Sequence, residues 1–131
     1  MTNGATLEAI LQKDMPVLKP DMPIRRAVAL LVEADAAAAP VVDDSGALMG
    51  IVTQKDCFRP ALNASYYQEW KGTVADHMSS EVVSLSLTTD LTSAAEAFLE
   101  KPYRVFPVVD GSRLVGMLRR SDVLAALVAL G

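Results

Sequence analysis

The sequence predicts a mixed α/β domain of α+β character, built as two β-α-β-β-α repeats. Two recurrences and one pattern predict it. Pro40-Val41-Val42-Asp43 returns as Pro107-Val108-Val109-Asp110, an offset of 67. Leu48-Met49-Gly50-Ile51-Val52 returns as Leu114-Val115-Gly116-Met117-Leu118, and Asp56 returns as Asp122, an offset of 66. In both copies short apolar runs of strand length alternate with stretches of helical period, and self-similarity of this kind marks a repeated supersecondary unit.

Each element has a local reason. An apolar entry, Val17-Leu18 or Val82 to Leu85, precedes an amphipathic helix expected over Ile24–Glu33 and Leu91–Glu100, the second capped by Asp90. A hairpin follows: Ala39–Val42 with Leu48–Val52, and Val105–Val109 with Leu114–Leu118. Asp43-Asp44-Ser45-Gly46 and the shorter Asp110-Gly111-Ser112 supply the turns and absorb the one-residue change of offset. A further helix begins near Thr53 and near Arg120. Pro60 would remove a helical hydrogen bond, so the first of these is expected to be short, kinked or broken. One copy of about 60 residues buries too little surface to be stable alone, so the two are expected to pack sheet to sheet as a pseudo-twofold pair. The boundaries read from the repeat are 1–62 for the first copy with its N-terminal segment, 63–75 for a connection, and 76–131 for the second copy.

Composition narrows the function. At 131 residues, 51% hydrophobic and 21% charged, the chain is a globular domain without room for separate catalytic and regulatory parts. The net charge of −4 comes from intermixed signs, which argues against a nucleic-acid partner. No run reaches the roughly 18 to 20 consecutive apolar residues of a membrane span, and no leader pattern opens the chain. Cys57 is the single cysteine and has no thiol to pair with, which fits a reducing compartment, so a cytoplasmic protein is expected.

Pro-Val-Val-Asp, a turn, and then Gly50-Ile51-Val52-Thr53-Gln54-Lys55-Asp56 resemble the hallmark of the CBS domain, named for cystathionine β-synthase. Gly116-Met117-Leu118-Arg119-Arg120-Ser121-Asp122 is similar, with arginine where threonine is usual, and Asp76-His77-Met78-Ser79 resembles the segment that opens a second repeat. The resemblance covers about Met15 to Leu130. It implies a tandem pair, a Bateman-type regulatory module with clefts between the repeats that take AMP, ADP or ATP, or in other members S-adenosylmethionine and related adenosyl ligands. It implies that Asp56 with Thr53, and Asp122, hold the ribose diol. Basic residues would meet phosphate: Lys55, Arg59, Arg104, Arg119 and Arg120. Adenine would pack near the entry strands and hairpins, with Val17, Ala39, Ser84 and Phe106 as walls, each of which is equally a core position. Arg119 departs from the family pattern and leaves the second site without its threonine. No cofactor is required in such a module.

The residues carry this chemistry independently of the family. An ionised carboxylate has two acceptor oxygens and can take both hydroxyls of a cis-diol in charge-assisted bonds. Asp56 and Asp122 each fall in the first turn of an expected helix, where unpaired N–H groups favour an anion. Thr53-Gln54-Lys55-Asp56 also fits a capping box, worth about 1 kcal/mol without any ligand; both readings stand. Ser121 is an alternative cap for the second helix.

For His77, Cys57 and the aromatic cluster that follows, the bland reading outweighs the functional one. His77, the only histidine, fits a place in the junction between repeats, and no metal site or acid–base pair assembles around it. Cys57 reads as a small hydrophobe. Tyr66, Tyr67 and Trp70 either cover a sheet edge or anchor another protein. Leu124, Leu127, Val128 and Leu130 make an apolar stripe through which a homodimer is expected, the alternative being packing within one chain. The expected function is a regulatory sensor of adenine nucleotides, not an enzyme, signalling to an unknown client protein; the alternative is a ligand-free interaction or scaffold domain.

Overall fold

The computed structural model describes residues 7–130 and contains both expected repeats of helices and hairpin. The first copy runs α1 (Ile24–Ala34), β1 (Ala38–Val42), β2 (Leu48–Thr53) and α2 (Gln54–Tyr67), followed by a short helix α3 (Val74–His77). The second runs β3 (Leu85–Ser86), α4 (Leu91–Glu100), β4 (Val105–Asp110), β5 (Arg113–Arg119) and α5 (Arg120–Leu130). Ile24, Ala27 and Leu31 recur three and four positions apart and are the buried face of α1. That helix stops at Asp35, whose left-handed φ of 49° turns its N–H onto the carbonyls of Leu31 and Val32. Asp90 caps α4 as expected, its Oδ1 accepting from the N–H of Ser93 at 2.7 Å.

Both hairpins are antiparallel and carry a register shift at the same place, between Val41 and Val42 and between Val108 and Val109. The first turn is held by Asp43, whose Oδ1 accepts from Ser45 N at 2.9 Å, Ser45 Oγ at 2.6 Å and Ala47 N at 3.0 Å. The Ser45 hydroxyl, then the Ala47 N–H, hold the Asp43 carboxyl below its ordinary value. The stability this adds is present above the unfolded aspartate pKa and is lost as pH falls through the lower folded value. The apolar entries are smaller than expected. Only Leu85–Ser86 forms a strand, parallel to β4, while in the first copy Leu18 makes a single parallel bridge to Val41. Leu18 still accepts from Val42 N and donates to Pro40 O, both at 2.9 Å, so the pairing is the same one cut to its minimum.

Helix α2 corrects the expectation at Pro60. It continues unbroken for 14 residues with Pro60 inside. The missing N–H costs one bond to the carbonyl of Asp56, and burial of the proline ring offsets part of that cost. Tyr66 and Tyr67 at its end are 75% and 73% exposed and meet edge to face, whereas Trp70 packs on the core of its unit. The apolar stripe of α5 is divided likewise. Leu127 packs against its own unit's core, and Leu124, Val128 and Leu130 remain exposed.

The packing units differ from the sequence repeats. One unit takes residues 15–82; the other takes residues 83–130 together with residues 7–14 from the opposite end of the chain. Gln12 bridges Met117 through bonds of 2.8 and 3.0 Å, and Ser79 bridges Ile51 through bonds of 2.9 and 3.0 Å. These two bridges are themselves related by the repeat, Gln12 to Ser79 at 67 and Ile51 to Met117 at 66. Each leading segment thus edges the hairpin of the other copy. Leu7 is buried in the core with Leu91, Val108 and Leu118, and burial of a side chain of this size contributes about 1.5–3 kcal/mol. The Asp76-His77-Met78-Ser79 segment, read as opening the second copy, packs in the unit of the first.

The two recurring glycines lie where these segments cross. A Cβ on Gly50 would fall 2.7 Å from Met78 Sδ and 2.8 Å from Ser79 O; on Gly116 it would fall 3.0 Å from Gln12 O and 3.2 Å from Leu11 Cβ. Close backbone approach is therefore why glycine stands at this point of each copy.

Candidate functional site

Each hairpin ends at the start of a helix, and the aspartates expected to hold ribose, with Thr53, Lys55, Arg119 and Arg120, lie at these two junctions. In the first, Thr53 is both the last residue of β2 and the N-cap of α2. Its hydroxyl accepts from Asp56 N at 3.2 Å, while Asp56 Oδ2 accepts from Thr53 N at 2.9 Å. The capping box is therefore formed, and it fixes the Asp56 side chain through one oxygen only. Oδ1 has no hydrogen-bond donor among the described residues, and the side chain is half-buried. Gln54 N donates to Ala37 O at 3.1 Å and so ties the approach to β1 to the start of α2. Lys55 and Arg59 are exposed on α2, and neither is in an ion pair among the described residues.

The second junction has the same backbone and different side chains. Arg120 N donates to Arg104 O at 2.9 Å, the counterpart of the Gln54–Ala37 bond. Arg119 stands where Thr53 stands, and it turns back on the carboxylate. Its Nε donates to Asp122 Oδ2 at 2.7 Å and its Nη2 to Asp122 Oδ1 at 3.2 Å. Both carboxylate oxygens are engaged, and no capping bond from Ser121 is made among the described residues. The sequence carried the signal for this fork in an arginine three residues ahead of an aspartate at a helix start.

The expected adenine walls separate into two classes. Ala39 and Phe106 are wholly buried: Ala39 lies in the core of its unit, and Phe106 stacks at 4.6 Å on Phe98 and 5.6 Å from Tyr103. They shape the hairpins from beneath. Val17 is exposed and Ser84 half-buried, so both have surface to offer. His77 lies beside the carbonyl of Lys71, its Nε2 at 3.3 Å.

A cavity of about 240 Å³ lies in the unit of residues 15–82, lined by Val28, Leu31 and Val32 of α1 and Gln54, Cys57, Phe58 and Ala61 of α2. It is apolar, and Asp56 is not among its lining residues. Burial, then the neighbouring Asp56 charge, pushes the Cys57 thiol up, so this sulfur is a packing group. The sequence pattern gave no sign of the groove, because its walls come from two helices that are distant in sequence.

The CBS domain family matches the chain twice, over residues 7–62 and 74–129, and the chain belongs to that family. The crystal structure of CBSX2 in complex with AMP superposes with a TM-score of 0.82 at 30% identity, covering 97% of this chain and 98% of that one. Over sequence, the chain is 27% identical to CBSX2 of Arabidopsis thaliana, a chloroplastic CBS domain-containing protein, across 91% of this chain and 61% of that protein. An uncharacterized protein of Methanocaldococcus jannaschii is 25% identical across 90% of this chain and 41% of its own length. The chain spans about two fifths of this relative and of a Thermofilum pendens relative. Among the described residues no helix is long and apolar enough to cross a membrane.

Proposed function

We propose that this chain is a regulatory sensor that binds an adenine nucleotide at its hairpin–helix junctions and passes the bound state to a partner protein. Asp56 carries the proposal. Its carboxylate is held in place by Thr53 through one oxygen and keeps the other unspent at a helix start, a ready acceptor for a ribose hydroxyl. CBSX2, similar over nearly the whole chain, is a CBS pair that holds AMP, which supports the same ligand class here. Lys55 and Arg59 are the cations nearest in sequence for the phosphate. The scaffold reading is favoured by a different observation: both aspartates already have partners within the chain. Titration decides between the two. Excess ligand stabilises the folded state by mass action, about 2.7 kcal/mol at a hundred times Kd, so AMP, ADP or ATP should raise Tm by several degrees. Failure of all three at millimolar concentration would leave the scaffold.

The partner we propose first is a second copy. Exposed apolar side chains recur at repeat-related positions on the helices of each unit: Val32 and Leu99 (67 apart), Phe58 and Leu124 (66 apart), and Leu62 and Val128 (66 apart). Scattered exposed hydrophobes need no explanation, but a pattern repeated twice suits a partner that carries the same pattern. The groove between α1 and α2 offers a seat for an apolar side chain. Light scattering should return twice the chain mass of 14.0 kDa, and Phe58→Glu with Leu124→Glu should return the monomer with Tm little changed. A wild-type monomer across a wide concentration range would refute this. We place the protein in the cytosol, where a buried free thiol such as Cys57 is at home.

A further inference from the structure

The two junctions share a backbone, and the second carries a cation at three positions where the first has none, while Lys55 of the first matches Ser121 of the second. Ala37, Thr53 and Gln54 surround the start of α2; Arg104, Arg119 and Arg120 occupy the matching places at α5. All three arginines are exposed, and among the described residues only Arg119 has a carboxylate partner. Three like charges crowd the positive end of a helix, where a cation is unfavourable. A local rule broken this way, with only Arg119 compensated by a carboxylate, marks a place shaped for a ligand. The ligand class that relieves it is a polyanion.

We infer that the second junction is a polyphosphate-gated site, in which Arg119 keeps Asp122 closed to a ribose until a phosphate chain draws the guanidinium away. This rests on the adenine-nucleotide reading and adds a division of labour to it. The fork of Arg119 spends both Asp122 oxygens, so an uncharged diol must displace a charge-assisted pair and offers the guanidinium only neutral acceptors in return. A di- or triphosphate offers other anionic oxygens to Arg119, with Arg104 and Arg120 beside it, and the same event frees the carboxylate. The pair can be traded because it is not sealed: the Arg119 side chain is 49% exposed and that of Asp122 28%. At the first junction Thr53 leaves Asp56 open, and no such condition applies.

The test uses the full chain carrying Asp56→Asn, which keeps an acceptor for Thr53 N and removes the first carboxylate. Adenosine, AMP, ATP and inorganic tripolyphosphate are titrated calorimetrically, with the Arg119 Nε–H followed by NMR. ATP should bind at least tenfold more tightly than AMP, adenosine least, and both ATP and tripolyphosphate should move the Arg119 signal. Adding Arg119→Thr, the residue the first junction already carries, should strengthen adenosine and AMP binding and erase the preference. Equal affinities for AMP and ATP in the Asp56→Asn protein, or a preference that survives Arg119→Thr, would overturn the gate. If no adenine nucleotide binds while tripolyphosphate still moves Arg119, the nucleotide reading has failed and the anion lock stands. If tripolyphosphate leaves Arg119 unmoved, the gate is wrong whatever the nucleotides do.

Discussion

Replacing Asp56 with alanine should weaken AMP binding at least tenfold and also lower Tm in the absence of ligand. The two effects have separate causes. Removing the carboxylate leaves a ribose hydroxyl without an ionic acceptor, and charged hydrogen bonds contribute roughly 1.5–3 kcal/mol each. It also opens the capping box by deleting the acceptor for Thr53 N, which costs about 1 kcal/mol and a few degrees of Tm for a chain of this size. Asp56→Asn separates them, since the amide oxygen can still accept from Thr53 N while the charge is gone. That variant should melt close to the wild type and bind AMP poorly. 2′-Deoxy-AMP on the unaltered protein supplies the complementary deletion, removing half of the diol from the ligand side. Unchanged AMP affinity in Asp56→Ala, measured by calorimetry, would remove Asp56 from the site.

The largest effect on stability is expected from Gly50→Val. Even the Cβ of such a residue falls 2.8 Å from the carbonyl oxygen of Ser79, which is backbone, and cannot be relieved by a rotamer change. Either β2 or the 74–79 segment must move, and the paired bonds between Ile51 and Ser79 go with it. Overpacking of this kind costs about 1–3 kcal/mol before the hydrogen bonds are counted. Chemical denaturation should show the loss, and Gly116→Ala should cost less, because its nearest contacts begin at 3.0 Å. Equal stability of Gly50→Val and wild type would mean that the crossing segment is not held against the hairpin.

What the sequence discloses is what is local. Hairpins and helix starts were legible because strand pattern, turn chemistry and helical period act over a few residues, and the repeat doubled every signal. The capping box at Thr53 and the cap at Asp90 belong to the same class. Pro60 misled because its cost depends on whether its ring is buried, which the fold decides and the neighbouring residues do not. The destinations of residues 7–14 and 74–79 were hidden for the same reason: pairing Gln12 with Met117 spans nearly the whole chain and leaves no local mark. The glycines stood in plain view as repeated letters, but the backbone they admit did not. At the second junction the sequence disclosed Arg119 as a departure, while its grip on both oxygens of Asp122 needed coordinates.

The exchange of leading segments orders the events of synthesis. The unit of residues 15–82 is complete in one continuous stretch and can close as soon as that stretch leaves the ribosome. Residues 7–14 precede the elements they pack on, Leu91 and Val108 for Leu7 and β5 for Gln12, so Leu7 and its neighbours stay uncovered until the second copy has been made. The unit of residues 83–130 closes after the unit of residues 15–82, and it does so by taking back a segment that precedes both.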